Sequence, residues 1–328
     1  MGFSSSDTPD FHSTAASPLE PVYVSPVRPH RREPRWRHLL LFLLTVMTTT
    51  FVGAEHFASF DIDFGSRELE LSTVQFILNG LWYSVSILAI LGAHEFGHYY
   101  ACRHYRVDAS LPYFLPAPLP LTGTLGAFIR IRQTIPGKRE LFDIGIAGPI
   151  AGFLMAIPML VIGMALSHVE PMPKDFSGLV LELGEPLIFK AAAWLTFGTV
   201  ADGYTVNMHP MAFAAWFGLL ATALNLFPIA QLDGGHISYV VFGRKSTWVT
   251  FGCVGLLVLM SLVSRSWLAW TVMIVLMLLA FGPRHPRTDD EDVPLDATRR
   301  WLAVFAVVIF ALCFTPEPIQ LRDLVPGT

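Results

Sequence analysis

The chain has 328 residues, 53% of them hydrophobic and only 15% charged, with a net charge of -4. Soluble domains carry roughly a quarter charged residues, so these values exclude an ordinary water-soluble globule and favour one polytopic membrane domain, with the bilayer standing in for part of a core. The mild charge and the lack of a basic stripe exclude nucleic acid as a partner. The three scattered cysteines, Cys102, Cys253 and Cys313, exclude a disulfide framework and read as isolated lipid-facing or packed thiols.

Residues 1–37 are rich in Ser and Pro and show no hydrophobic period, which describes a disordered tail. They lack an apolar run before a small-residue cleavage site, so they do not read as a signal peptide. Arg28, Arg31, Arg32, Arg35 and Arg37 lie at or just before the first apolar span, about 38–55. The positive-inside rule therefore holds the tail in the cytoplasm. An acidic loop, read as external, leads to a second span, about 74–101, which ends inside at Arg103 and Arg106. Residues 108–142 are apolar but too dense in Pro and Gly for a regular helix. Within them "GTLGAFIRIR" alternates like a strand. Non-helical backbone at membrane depth is tolerated only inside protein or beside a wet cavity, so a membrane-associated loop or short β-hairpin is expected near 111–136.

The third span, about 144–167, opens with "IGIAGPIAGF", whose small residues allow close helix approach. Residues 186–200 carry Lys190 and read as interfacial or re-entrant; residues 210–237 read as one span broken near its inner end. Two spans at about 247–264 and 267–282 form a hairpin, and a last one covers about 300–315. Trp36, Trp194, Trp248, Trp267 and Trp301 fall near span ends, as in an aromatic belt. The expected fold is an all-α polytopic membrane protein of about seven transmembrane helices. The membrane domain covers 38–315, with a catalytic core at about 74–245 and a short tail at 316–328. The expected setting is a multi-pass protein of a bacterial inner membrane, although an organelle membrane reads alike.

The chemistry lies in "AHEFGH". His94 and His98 are one helical turn apart on one face, close enough to share a metal ion, and Glu95 stands beside them as a base. Ionisable groups at membrane depth are functional by default. Catalytic zinc takes three protein ligands and keeps an open position, so a third ligand must come from elsewhere. The other span interrupted by polar groups on the inner side is "NLFPIAQLDGGH". Its Asp233 lies at matching depth and completes a His2Asp site, one Zn2+ per chain. Pro228 breaks the helix there, and Gly234 and Gly235 are expected to allow a tight reversal after Asp233. Asn225 is a candidate for steadying an oxyanion. His236 is a weaker ligand candidate, expected at the interface or against nearby backbone.

These paired motifs, with "GTLGAFIRIR" and "LFDIGIAGPIAGF" between them, resemble the site-2 protease family of intramembrane zinc metalloproteases over roughly residues 38–245. The resemblance implies zinc on His94, His98 and Asp233, and Glu95 as catalytic base. It also implies hydrolysis of a peptide bond in or near the transmembrane segment of a membrane-protein substrate, as in regulated intramembrane proteolysis. The residues alone leave open a metal transporter or sensor using the same ligands without hydrolysis. A transport site would need no base at Glu95.

Overall fold

The computed structural model describes residues 33–62, 68, 71–135, 137–171, 178–283, 285, 288, 290 and 293–324. All but the end of the expected tail 1–37 lies outside these residues.

Two long helices open the described chain, α1 (Arg35–Ile62) and α2 (Thr73–His104). Ser72 and Gln75 form a reciprocal capping box that starts α2. Beyond its end, Arg106 takes a left-handed φ of 57° and turns the chain back. A short antiparallel pair follows, β1 (Tyr113–Pro116) and β2 (Thr124–Phe128), where a hairpin is expected. Tyr113 and Phe114 pack it on His38 and Phe42 of α1.

The next helix is α3 (Lys138–Leu166), with Pro149 and Pro158 inside it; neighbouring helices let membrane helices tolerate such prolines. Then come β3 (His168–Pro171), β4 (Gly178–Leu183), α4 (Leu187–Phe197), β5 (Tyr204–Asn207) and α5 (Pro210–Asn225). The buried His209 caps α5, its Nδ1 accepting the Met211 N–H at 3.2 Å. Burial lowers its pKa to about 4, so the ring stays the neutral acceptor that the cap needs.

The chain ends with α6 (Asp233–Phe242), α7 (Ser246–Val263), α8 (Leu268–Phe281), α9 (Ala297–Cys313) and β6 (Ile319–Leu324). β3 pairs with β5, and β6 returns to pair antiparallel with β4. Residues 210–237 are not one span with a late break. The helix stops at Asn225, the chain turns over 226–232, and α6 runs through a single 3-10 turn into α7 as one stretch, Asp233–Val263.

Four described stretches are long and apolar enough to cross a membrane: Arg35–Ile62, Thr73–His104, Lys138–Leu166 and Asp233–Val263. The helices Leu187–Phe197 and Pro210–Asn225 and the stretch Arg265–Phe281 are apolar but shorter. Leu39, Met47, Phe51, Val85, Leu262 and Leu279 are exposed, an apolar surface that suits lipid rather than water. The core lies where α2, α3 and α5 meet, around Tyr83, Leu160, Trp216 and Leu219. Trp36, Trp194, Trp248 and Trp301 are exposed as a belt requires; Trp267 instead is buried, and its indole N–H donates to the Pro316 carbonyl.

Lipid gives packed helices no hydrophobic reward over unpacked ones, so shape complementarity decides which surfaces meet. α1 and α2 cross at Gly53 and Gly80, beside a Thr49–Ser84 hydroxyl pair at 2.7 Å. A methyl on Gly80 would lie 2.1 Å from the Thr50 carbonyl oxygen, a backbone atom that cannot swing away. Gly80→Ala is expected to cost about 1–3 kcal/mol through overpacking, read as a lower thermal midpoint in detergent. An unchanged midpoint would show that the crossing is looser than described.

Candidate metal centre

α2 places His94, Glu95 and His98 on its buried inner turns, each no more than 7% exposed. The i, i+4 spacing stacks the two imidazoles. Their Nε2 atoms are 3.1 Å apart. Asp233 enters from α6, with Oδ2 3.2 Å from His94 Nε2 and 3.3 Å from His98 Nε2. Three donors thus form a nearly equilateral triangle. Tetrahedral zinc with bonds of about 2.0–2.1 Å separates its ligand atoms by about 3.3 Å, so the spacing fits such an ion. These three are the group of His, Cys, Asp or Glu that could hold a metal among the described residues.

Asp233 reaches the triangle because the 226–232 turn folds tightly onto the start of α6. Methyls on Gly234 and Gly235 would lie 2.1 Å from the Leu226 oxygen and 2.3 Å from the Ala230 oxygen. The glycines therefore serve close backbone approach, and the reversal lies before Asp233 rather than after it. Thr250 of α7 braces the turn, accepting the Ala230 N–H and donating to the Pro228 carbonyl, both at 3.3 Å.

Side chain and backbone around the triangle orient it. His98 Nδ1 is 2.7 Å from the Ile144 carbonyl oxygen. A carbonyl only accepts, so Nδ1 carries the proton and Nε2 keeps its lone pair for a metal. α3 lies directly on the ligand helix: a methyl on Gly148 would sit 2.1 Å from His98 Nε2, and one on Gly152 3.2 Å from His94 Cβ. The spacing of small residues in "AGPIAG" announces a close approach, but not what is approached. The Ile144 carbonyl, a backbone atom, has no sequence signal at all.

Asn225, the last residue of α5, brings Nδ2 to 3.2 Å from His94 Nε2. Glu95 faces the same cluster, and the backbone of Ile129, just past β2, lies near its carboxylate. The structure therefore brings together all five residues expected at the site. His236 stays outside the triangle: its Nδ1 lies 2.6 Å from His285 Nε2, and the His285 ring stacks on Tyr239. That partner is a side chain from beyond α8 rather than nearby backbone, one of the two settings expected. The free cysteines stay clear of the triangle, with Cys102 and Cys313 buried and Cys253 half-buried.

A family profile described as "Peptidase family M50" matches residues 82–262, more than half of the chain and the whole of the triangle. Among similar proteins is "Probable zinc metalloprotease EGY2, chloroplastic" of Oryza sativa subsp. indica, 29% identical over 76% of this chain and 46% of the relative. The protein of the same name in Arabidopsis thaliana is 28% identical over 84% of this chain and 48% of its own. "Probable zinc metalloprotease EGY1, chloroplastic" of Oryza sativa subsp. japonica is 32% identical over 85% and 50%. The chain thus spans about half the length of these relatives.

Gly148 gives the sharpest check of this geometry. Gly148→Ala puts a methyl where the His98 donor now stands, so metal affinity should fall by at least about tenfold. Metal content of purified protein, measured by elemental analysis beside wild type, reads the loss. Full retention would mean that α3 is free to retreat.

Proposed function

The chain belongs to peptidase family M50, and from that premise we propose that it is an intramembrane zinc endopeptidase. What carries the reading is the convergence of His94, His98 and Asp233 beside Glu95 on a helix apolar enough to span a bilayer. His94, His98 and Asp233 would hold one zinc ion. Zinc bound there supplies Lewis-acid polarisation of a water molecule and of the scissile carbonyl. Glu95 takes the proton from the attacking water, then gives it to the leaving amine. Its burial keeps the exchanged proton within the site. The Asn225 amide, 3.2 Å from His94 Nε2, donates to the oxygen that gains charge at the scissile carbon.

The substrate is a membrane protein with a transmembrane segment, cut in or near that segment as a step of regulated intramembrane proteolysis. A helical segment hides its carbonyls, so it must unwind. A β-strand edge offers the unwound stretch backbone partners, and Ile129, next after β2, lies near Glu95. The proposed topology has seven spans within the membrane domain 38–315. The N-terminal tail 1–37 is cytoplasmic, 316–328 is a short tail, and the active site lies toward the cytoplasmic side of a bacterial inner membrane.

Co-expression with single-span membrane proteins, with and without Glu95→Gln, tests the assignment. The variant is expected to retain one zinc per chain while cleavage falls at least about a hundredfold, the scale of lost acid–base catalysis. If a Glu95→Gln protein retained full cellular function, a transporter or sensor would replace the protease.

Gly126 tests the strand edge separately. Its φ of +99° is closed to proline, and its N–H donates to Thr124 Oγ1 at 3.0 Å. Gly126→Pro should impair cleavage severalfold with zinc content unchanged; loss of zinc would sink the substrate-docking role of the hairpin.

A further inference from the structure

We infer that Arg299, at the start of α9, is a positioning residue for the metal ligand His98, acting through Asp143 and the Ile144 carbonyl. The inference rests on the zinc-centre reading above. α9 lies beyond the 82–262 segment that the family profile covers, so family membership does not imply it.

The relay begins at the ligand. His98 Nδ1–H donates to the Ile144 oxygen at 2.7 Å, which sets the rotation of the ring and the direction of Nε2. The same short segment of α3 also walls the ring, because Gly148 lies against His98 Nε2. A shift of a few tenths of an ångström in residues 144–148 would therefore move both the anchor and the wall.

The residue before Ile144 is Asp143, and three donors converge on its carboxylate. Arg299 forks onto it, Nε to Oδ1 at 2.9 Å and Nη2 to Oδ2 at 2.5 Å. The Tyr105 hydroxyl donates to Oδ2 from just past α2, the helix that carries the ligands. Its hydrogen bond to the Asp143 carboxylate raises the Tyr105 pKa and keeps the phenol a donor. Arg299 is itself held at the N-terminus of α9. Its backbone N–H donates to Asp296 Oδ1 at 2.9 Å, and its Nη1 to Asp296 Oδ2. One carboxylate thus ties together the end of α2, the start of α3 and the start of α9. The Arg299 and Asp143 side chains are 20% and 23% exposed, which sets them apart from the fully solvated pairs that contribute little. A planar fork is something lysine cannot reproduce.

Docking of α9 does not depend on this brace. Ala306, Ile309 and Cys313 are buried, and Phe310 and Phe314 pack on Phe227. Replacing Arg299 therefore leaves α9 an apolar seat while releasing Asp143.

The test uses the full chain in detergent, stripped of metal and titrated with Co2+ against a competing chelator. It reads both affinity and the visible d–d band, which reports ligand geometry. Arg299→Met is expected to weaken Co2+ by roughly tenfold, the low end for outer partners of a metal ligand, and to change the band. Arg299→Lys should fall between it and wild type, and exposed Arg300→Met should match wild type. Wild-type affinity and band in both Arg299 variants would overturn the inference. If Arg299→Met does not fold, Arg299→Lys decides alone. A wild-type chain that binds no Co2+ would instead defeat the zinc-centre reading, so the two failures are distinguishable.

Discussion

The contact of α3 with α2 is the constraint from which the site follows. Gly97, Gly148 and Gly152 bring the helix backbones so close that a single methyl at any of them would meet the other helix or a ligand ring. In lipid such a crossing is held by van der Waals contact and by hydrogen bonds hidden from solvent. The 2.7 Å bond from His98 to Ile144 is one of these. The same bond selects the imidazole tautomer, so packing and ligand chemistry are one interaction here. An α3 held even slightly farther away would leave His98 free to rotate and to hold its proton on either nitrogen.

Charge supplies the second half of the constraint. Asp233 and Glu95 share a mostly buried cluster with two imidazoles, toward the C-terminal end of α2, a helix long enough to span a bilayer. Burying a carboxylate without a counter-charge costs several kcal/mol, and no Lys or Arg pairs with either one among the ion pairs of the described residues. A divalent cation balances two carboxylates. The electrostatics and the triangle of donor atoms therefore ask for the same occupant.

Much of this centre was legible because its signals are local. The i, i+4 histidines need only helical periodicity, and Asp233 follows from loop charge, which sets depth on each side of the membrane. The hairpin was visible as proline and glycine at membrane depth. What escaped depends on contacts between distant parts of the chain. Gly234 and Gly235 read as turn residues, yet they serve close approach to the Leu226 and Ala230 carbonyls. The join of α6 to α7 was hidden because Gly243, Arg244 and Lys245 interrupt the apolar composition, yet the chain runs through them as a single 3-10 turn. Trp267 resembled its belt-forming neighbours until Pro316 supplied a carbonyl for its indole. His285 and Arg299 carry no motif; only the fold brings them to His236 and Asp143.

Glu95 and the hairpin edge are joined by the same stretch of chain. After α2 the chain turns at Arg106, and residues 108–110 run beside 130–132. Ser110 N–H donates to the Arg130 oxygen at 3.0 Å, and Arg132 N–H to the Asp108 oxygen at 2.9 Å. The base of the hairpin is thus stitched to the end of the helix that carries Glu95, and Ile129 lies near the carboxylate. Among the described residues this sheet has two strands, so β2 has β1 on one side and keeps its other edge. In the proposed reaction, a chain that adds to such an edge exchanges its helical hydrogen bonds for strand ones, and this makes its carbonyls accessible. Unwinding the substrate and presenting it to Glu95 then become one event. Because edge and base share a frame, their alignment is set before any substrate arrives.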